Sequence, residues 1–450
     1  MRKYNFHRMN TNILQTLVTA MQRRLAALPQ RLRPFTTEFD ELPKNLMLTG
    51  ARGCGKSTFL LHHSQGRRLL YFSADNPKII GEPLYDLVSS VFMLGYEGVI
   101  IDEIHYASNW SIHLKALYDD YPGKIIWISD SSSLVLRDGK ADLSRRYVAI
   151  QMPLMSFREF LYLETGQIYP KYKLGDTILP TQPDAELLNH FLNYRSYGTR
   201  PFYQEKDFEA RYMAIIDKIL NNDIPFFLPS ISENNLRVMR AIIGTLANSS
   251  IPRVQVTSLC SDWGIGAEKL YQLLFVMESV DLLKIVRYPN DTKARSTGAK
   301  MLFADPCAYK VLNADQGTER EAYIVHCFSR AGYEINAMKD EKKGDYVITK
   351  DHVSQTLEVG GKNKKPKEVT LKDIPIDLEA LIHALGGIDN IKESQSQGSK
   401  VRFFVENDDL VKVNVLKELG ASGVIQATGK VTVILGKFSD EISRIVNEKK

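Results

Sequence analysis

Residues 45 to 58 read Asn-Leu-Met-Leu-Thr-Gly-Ala-Arg-Gly-Cys-Gly-Lys-Ser-Thr, and this stretch constrains the fold more than any other. Leu46 to Leu48 form a short apolar run that predicts a buried strand, and Phe59, Leu60 and Leu61 begin a pattern suited to a helix. Between them Gly50, Gly55, Lys56 and Ser57 fill every fixed position of G-x-x-x-x-G-K-[ST], the phosphate-binding loop. Glycines let backbone N–H groups turn inward around phosphate oxygens, and the helix N-terminus adds its partial positive charge. The expected ATP contacts are therefore Gly50, Ala51, Arg52, Gly53, Cys54, Gly55, Lys56, Ser57 and Thr58. Lys56 would reach the β- and γ-phosphates as a catalytic cation, and the Ser57 hydroxyl would bind Mg2+. A Gly-rich turn with a chance lysine is the alternative, and it gives no reason for the strand before and the helix after.

Downstream, Gly98-Val99-Ile100-Ile101 is an apolar run closed by Asp102 and Glu103. Such a strand end supplies what a phosphate loop lacks. Asp102 would hold Mg2+, directly or through water, and Glu103 would orient and polarise the attacking water. A further strand, Lys124 to Ser129, leads into Asp130-Ser131-Ser132-Ser133. Small hydroxyls at the end of the strand beside the acidic one could sense the γ-phosphate, Ser131 first among them; the plainer reading is an Asp/Ser turn or helix cap. Arg145 and Arg146 lie between an expected helix around 140–144 and the strand Tyr147 to Gln151. Either arginine, Arg145 or Arg146, could be a finger toward a neighbouring subunit's nucleotide, with Arg146 the candidate; a helix-dipole contact is the favoured alternative.

Five segments together resemble a widespread prokaryotic AAA-type ATPase family: Gly50 to Ser57, Ile101 to Trp110, the serine run from Ser131, Leu143 to Tyr147, and Pro153-Leu-Met-Ser-Phe-Arg-Glu-Phe160. The resemblance implies ATP binding and hydrolysis and a C-terminal restriction-endonuclease-like domain of unknown function. One departure is Asp130, where relatives usually show glycine. An acid there either weakens ATP binding or points away.

At 450 residues, 44% apolar and 25% charged, the chain has room for several globular domains. The expected class is α/β: a P-loop NTPase parallel sheet core over 1–160, a helical lid or connector over 161–230, a winged-helix domain over 231–312, and a small α/β nuclease-like C-terminal domain over 313–450. No apolar run approaches the ~18 residues of a membrane span. The first 37 residues hold seven Lys/Arg and no acid. A transit peptide is one reading; an amphipathic helix with Ile13, Leu14, Leu17, Met21 and Leu25 packed on the core is the preferred one. Cys54, Cys260, Cys307 and Cys327 are scattered without metal or disulfide spacing, which suggests a reducing cytoplasm. A homo-oligomer is an open expectation, and so is DNA binding; the net charge of +5 by itself argues for neither.

Gly166, Pro170, Gly175, Pro180 and Pro183 punctuate a loop, followed by helices over 185–195 and 207–222. Arg195 and Arg200 flank Gly198, where surface charge is the favoured reading over a contact with nucleotide. Helices over 235–247, 256–261 and 267–280, then strands over 282–288 and 300–304, give the winged-helix order. The second helix of the motif carries only Lys269 among acids, so DNA contact would fall to Arg287, Lys293, Arg295 and Lys300 on the wing. A rigid spacer or oligomer surface is the narrowly preferred reading.

Beyond 313, Glu321 on a helix, Asp345 after a bend and Glu358 on the next strand are similar to a PD-(D/E)xK core, where two carboxylates hold a metal ion. Asp345 and Glu358 are thus the second metal candidates. The lysine such a site needs two positions after Glu358 is Gly360, and Lys362 lies two further on. Lys362, Lys364, Lys365 and Lys367 read as a solvated loop before a substrate contact. Residues 400–405 read as a third strand of this domain, and 440–450 as a polar terminal helix.

Overall fold

Strands β1 (Asn45–Thr49), β2 (Leu69–Ser73), β3 (Gly98–Asp102) and β4 (Ile125–Asp130) are almost continuously apolar and almost continuously buried. Strands of that composition need cover on both faces, the condition for a parallel sheet flanked by helices. With β5 (Val148–Gln151) they form a five-stranded sheet in the order β2-β3-β4-β1-β5, all pairs parallel. The computed structural model that shows this describes residues 11–132, 143–171, 184–228, 230–249, 256–289, 298–314, 316–340, 343–360 and 376–450.

Strand alternation divides the sheet's side chains between two cores. Leu46, Leu48, Tyr71, Ile100 and Trp127 join Phe59, Leu60 and Leu61 of the helix Lys56–His63. Met47, Leu70, Phe72, Val99, Ile101, Ile126 and Ile128 meet the helices Leu84–Met93 and Trp110–Asp120. The helix Thr11–Ala26 buries Leu17 and Met21 against these layers, with Arg24 over the Tyr71 ring, as the amphipathic reading requires. Because the strands are parallel, the segments after β1, β3 and β4 all emerge at one edge of the sheet. That edge is where ligands bind in open α/β sheets.

Past β5, Ser156 caps the helix Phe157–Thr165 in a reciprocal box with Glu159. The connector holds helices Ala185–Tyr197 and Phe208–Lys218, a π-helical turn Ile219–Asp223 and a short helix Ile224–Phe227. Helices Glu233–Asn248, Val256–Trp263 and Ala267–Ser279 precede the antiparallel hairpin β6 (Leu283–Val286) and β7 (Lys300–Phe303). One apolar cluster runs from Tyr212 through these elements to Tyr346, so the connector, this helical segment and the start of the next share a core.

The chain divides into two compact units, Met1–Lys362 and Asn363–Lys450, a boundary well inside the segment expected as one nuclease-like domain. In the first unit the helix Gln316–Arg330 leads to a sheet of β8 (Glu334–Ala337), β9 (Tyr346–Lys350) and β10 (Val353–Leu357) in the order β10-β9-β8. In the second, β11 (Ile391–Gln397), β12 (Lys400–Val405), β13 (Gly423–Ala427) and β14 (Lys430–Ile434) form an antiparallel sheet ordered β11-β12-β14-β13. Residues 400–405 therefore do not pair with the strands near Asp345 and Glu358. The reason is local: β9 and β10 close a tight hairpin through Asp351 and His352, both at positive φ, while β12 finds β11 and β14. The terminal helix Ser439–Glu448 is amphipathic rather than polar, burying Ile442, Ile445 and Val446 in the core of the second unit.

Candidate functional site

The loop after β1 turns on three glycines at positive φ: Gly50 at 152°, Gly53 at 80° and Gly55 at 106°. A methyl group at Gly50 would sit 2.2 Å from the Met152 carbonyl oxygen, and one at Gly53 would sit 2.8 Å from the Phe202 ring. The loop is thus pressed between β5's end and the connector. Lys56 Nζ is buried and donates to the carbonyls of Gly50 at 2.7 Å and Ala51 at 3.2 Å, inside the ring it must serve.

Asp102 ends β3 at the same sheet edge. It accepts from Ser57 Oγ at 2.5 Å, Ser129 Oγ at 2.6 Å, Tyr71 OH at 2.6 Å and the Glu103 backbone N–H at 3.1 Å. Burial alone would push its carboxyl up, but the hydrogen bonds from Ser129, Ser57 and Tyr71 outweigh it and hold it below the ordinary carboxylate value. Ser57 and Asp102 thus form an anionic, oxygen-rich pair, the donor chemistry Mg2+ prefers.

Glu103 follows in the left-handed region, φ 51° and ψ 51°, which turns its side chain away from the strand's own direction. Its carboxylate lies within 3.2 Å of Arg52 Nη1 and accepts from Ser131 Oγ at 3.2 Å. Burial raises the Glu103 carboxyl, and the Arg52 charge only partly offsets this. Ser131 and Ser132 are buried just past the end of β4; Ser133 lies outside the described residues.

Asp130 pairs with His105, two residues past Glu103. Its Oδ2 meets His105 Nδ1 at 2.6 Å and the His105 backbone N–H at 3.1 Å, with both side chains fully buried. Burial would lower the imidazole, but the Asp130 hydrogen bond and charge overcome it and raise the His105 value. Glu103, His105 and Asp130 offer ligand atoms within 4.8 Å of one another, a spacing a cation would tolerate, but the His105–Asp130 bond already uses two of them.

Several residues of the site were not legible as such. Arg33 donates to the Cys54 carbonyl at 2.5 Å and to Glu159 at 3.0 Å, while Arg330 reaches the same Glu159 at 3.1 Å. Arg200 is buried rather than a surface charge: it pairs with Asp305 at 2.7 Å and donates to the Arg52 carbonyl. Arg195 is half-buried on Glu319. Asp223 grips the Arg52 guanidinium at 3.0 Å. The Gly198-Thr-Arg-Pro run was the one local hint of Arg200; nothing local marks Arg33 or Asp223.

Other expected residues lie elsewhere. Arg146 precedes the N-terminal end of β5, at the sheet edge opposite the loop, and binds Asp119 at 3.1 Å over the Tyr118 ring. Lys300 is buried in β7, its ammonium 3.0 Å from Glu321 and 3.6 Å from Asp345, so it does not serve as a wing contact for phosphate. Arg287 binds Glu278 at 2.7 Å; Lys293, Arg295 and the lysines at 362, 364, 365 and 367 lie outside the described residues. Asp345 is buried and accepts from the Val359 N–H at 2.8 Å, whereas Glu358 is exposed just past β10.

Residues 43–161 match a family model described as AAA domain. The chain therefore carries an AAA-type P-loop ATPase domain. An uncharacterized protein of Methanocaldococcus jannaschii, MJ1637, is 28% identical over 372 residues, which span 72% of this chain and 77% of that protein. The N-acetylglucosamine-specific EIIB component of the PTS system from Streptomyces coelicolor is 33% identical over 70 residues, 16% of this chain and 91% of that protein. Over that short stretch the chain belongs to the EIIB family. Among solved structures, the Walker-type ATPase PABY2304 of Pyrococcus abyssi covers 64% of this chain with 97% of its own, at 15% identity and a TM-score of 0.38.

Proposed function

We propose that the chain binds and hydrolyses ATP with Mg2+ and passes its nucleotide state to the segments beyond residue 160. The observation that carries this is the meeting of Ser57 Oγ with Asp102 at 2.5 Å while Lys56 lies inside the glycine loop. The residues fit Mg-ATP: inward-turning backbone for phosphate, a buried ammonium, and a hydroxyl–carboxylate pair for the metal. Mg2+ would supply charge neutralisation on the phosphates. The loop N–H groups and Lys56 bind and orient the tail, Ser57 and Asp102 hold the metal, and Glu103 takes the proton of the attacking water. Ser131, which donates to Glu103 at 3.2 Å, is the residue that would sense the terminal phosphate.

The route outward is supported by two buried arginines. Arg200 joins the Arg52 carbonyl to Asp305, and Arg33 joins the Cys54 carbonyl to Glu159 and, through it, to Arg330. A loop that closes on phosphate pulls on both. The EIIB-like stretch makes a protein of the sugar PTS the partner class to try first.

The test is steady-state ATP hydrolysis by wild type, Lys56→Ala and Glu103→Gln. Turnover in wild type and its loss in both variants support the reading; equal rates in all three remove it. A second reading, a nucleotide-gated regulator with little turnover, is favoured by the Arg52–Glu103 contact, and it predicts tight ATP retention with slow hydrolysis in the same assay.

A further inference from the structure

Arg52 fills a variable position of the phosphate loop, but its guanidinium is committed away from the loop. Nε and Nη2 bind the two oxygens of Asp223 at 3.1 and 3.0 Å. The same group holds both oxygens of Glu103, Nη1 at 3.2 Å and Nη2 at 3.3 Å. The three side chains are only 13%, 2% and 14% exposed, so water screens these contacts little. Ser131 Oγ and His105 Nδ1 close around the same carboxylate at 3.2 and 3.7 Å. A glutamate whose charge is matched by a two-pronged cation is a poor base for water, because charge-assisted donors outcompete a neutral one.

Asp223 comes from a different element. It ends the π-helical turn Ile219–Asp223, an irregularity that recurs at functional sites, and Pro225 follows in the next turn. Its contacts with Arg52 are the shorter pair, and its side chain is the most buried of the three. Tyr106, three residues past Glu103, also reaches Asp223 at 3.4 Å.

We propose that Arg52 is a latch on Glu103 and that Asp223 is its anchor on the connector. In the conformation described, Arg52 holds Glu103 from water. Movement of the 219–223 turn draws the guanidinium away with Asp223, and Glu103 is then free to act. Arg52 is thus a positioning residue acting through Glu103, and the connector sets the rate of turnover. The inference rests on the ATPase reading above.

The experiment is steady-state hydrolysis over a range of ATP concentrations by wild type, Arg52→Gln, and the double variant Arg52→Gln, Asp223→Asn. The single change leaves Asp223 buried beside no cation and can fail to fold; the double change replaces the ion pair by a neutral amide pair. The latch predicts a kcat at least about threefold above wild type in the folded double variant, with KM moving less. A kcat at or below wild type, or a change confined to KM, overturns it. Absence of both ATP binding and hydrolysis in wild type would fell the ATPase reading itself, whereas a hydrolysing wild type with no faster variant fells only the latch.

Discussion

Asp130 and His105 form a fully buried acid–imidazole pair at 2.6 Å, with His105 Nδ1 3.7 Å from Glu103. Removing the carboxylate leaves a buried imidazole with an unpaired N–H, a cost of about 1–3 kcal/mol. Asp130→Ala is therefore expected to lower stability by that amount, read from urea unfolding of the full chain; a loss under about 1 kcal/mol would mean that the pair is easily replaced by water. From the sequence, Asp130 stood out only as an acid in the place of glycine, with two outcomes open. His105 on the neighbouring segment gives the carboxylate a buried partner, and Glu103 offers a ligand atom within 4.8 Å of both. Gly50, Lys56, Ser57, Asp102 and Glu103 were legible because their chemistry is written in consecutive residues. Arg33, Arg200 and Asp223 were not, since each finds its partner far along the chain, Arg200 at Asp305 and Asp223 at Arg52.

The helix Phe157–Thr165 shows how one element ties several others. Its N3 residue Glu159 caps its own helix through Ser156 and receives Arg33 and Arg330. Burial raises the Glu159 carboxyl, but the charges of Arg33 and Arg330 outweigh this and depress it below its ordinary 4.5. A depressed carboxyl contributes stability that is present above the unfolded value and is lost as pH falls through the folded one. Stability should hold from neutral pH to about 5 and then fall as acid is added, in part through this group. Glu159→Gln should lower stability at pH 7 and flatten the acid limb, measured by urea midpoints against pH. An acid limb as steep as wild type would contradict the assignment. At this scale most helices and strands were legible from periodicity. The terminal helix reads as polar because its apolar residues are few, and what places them on one buried face is β11 and β12, more than thirty residues upstream.

For the whole molecule, the parallel core followed from the motif, and the two-unit division did not. A boundary between compact units shows in contacts rather than in composition, and 400–405 is as apolar as a strand of either sheet. The second unit has its own closed core, running from Ile376 to Val446. Residues 376–450 expressed alone are expected to unfold in one cooperative thermal transition; a broad, featureless melt would show that the unit depends on the rest of the chain. On the described hairpin Lys300 is buried and Arg287 pairs with Glu278, while Lys284 is exposed, which weakens the case for phosphate contact through Lys300 and Arg287.

The central claim is that Lys56, Ser57 and Asp102 grip the tail of a triphosphate with its metal. Titration calorimetry of the full chain with ATP and Mg2+ tests it most directly. The expected result is a saturable, magnesium-dependent heat in wild type that disappears in Lys56→Ala. No heat in wild type, or the same isotherm in Lys56→Ala, would contradict it.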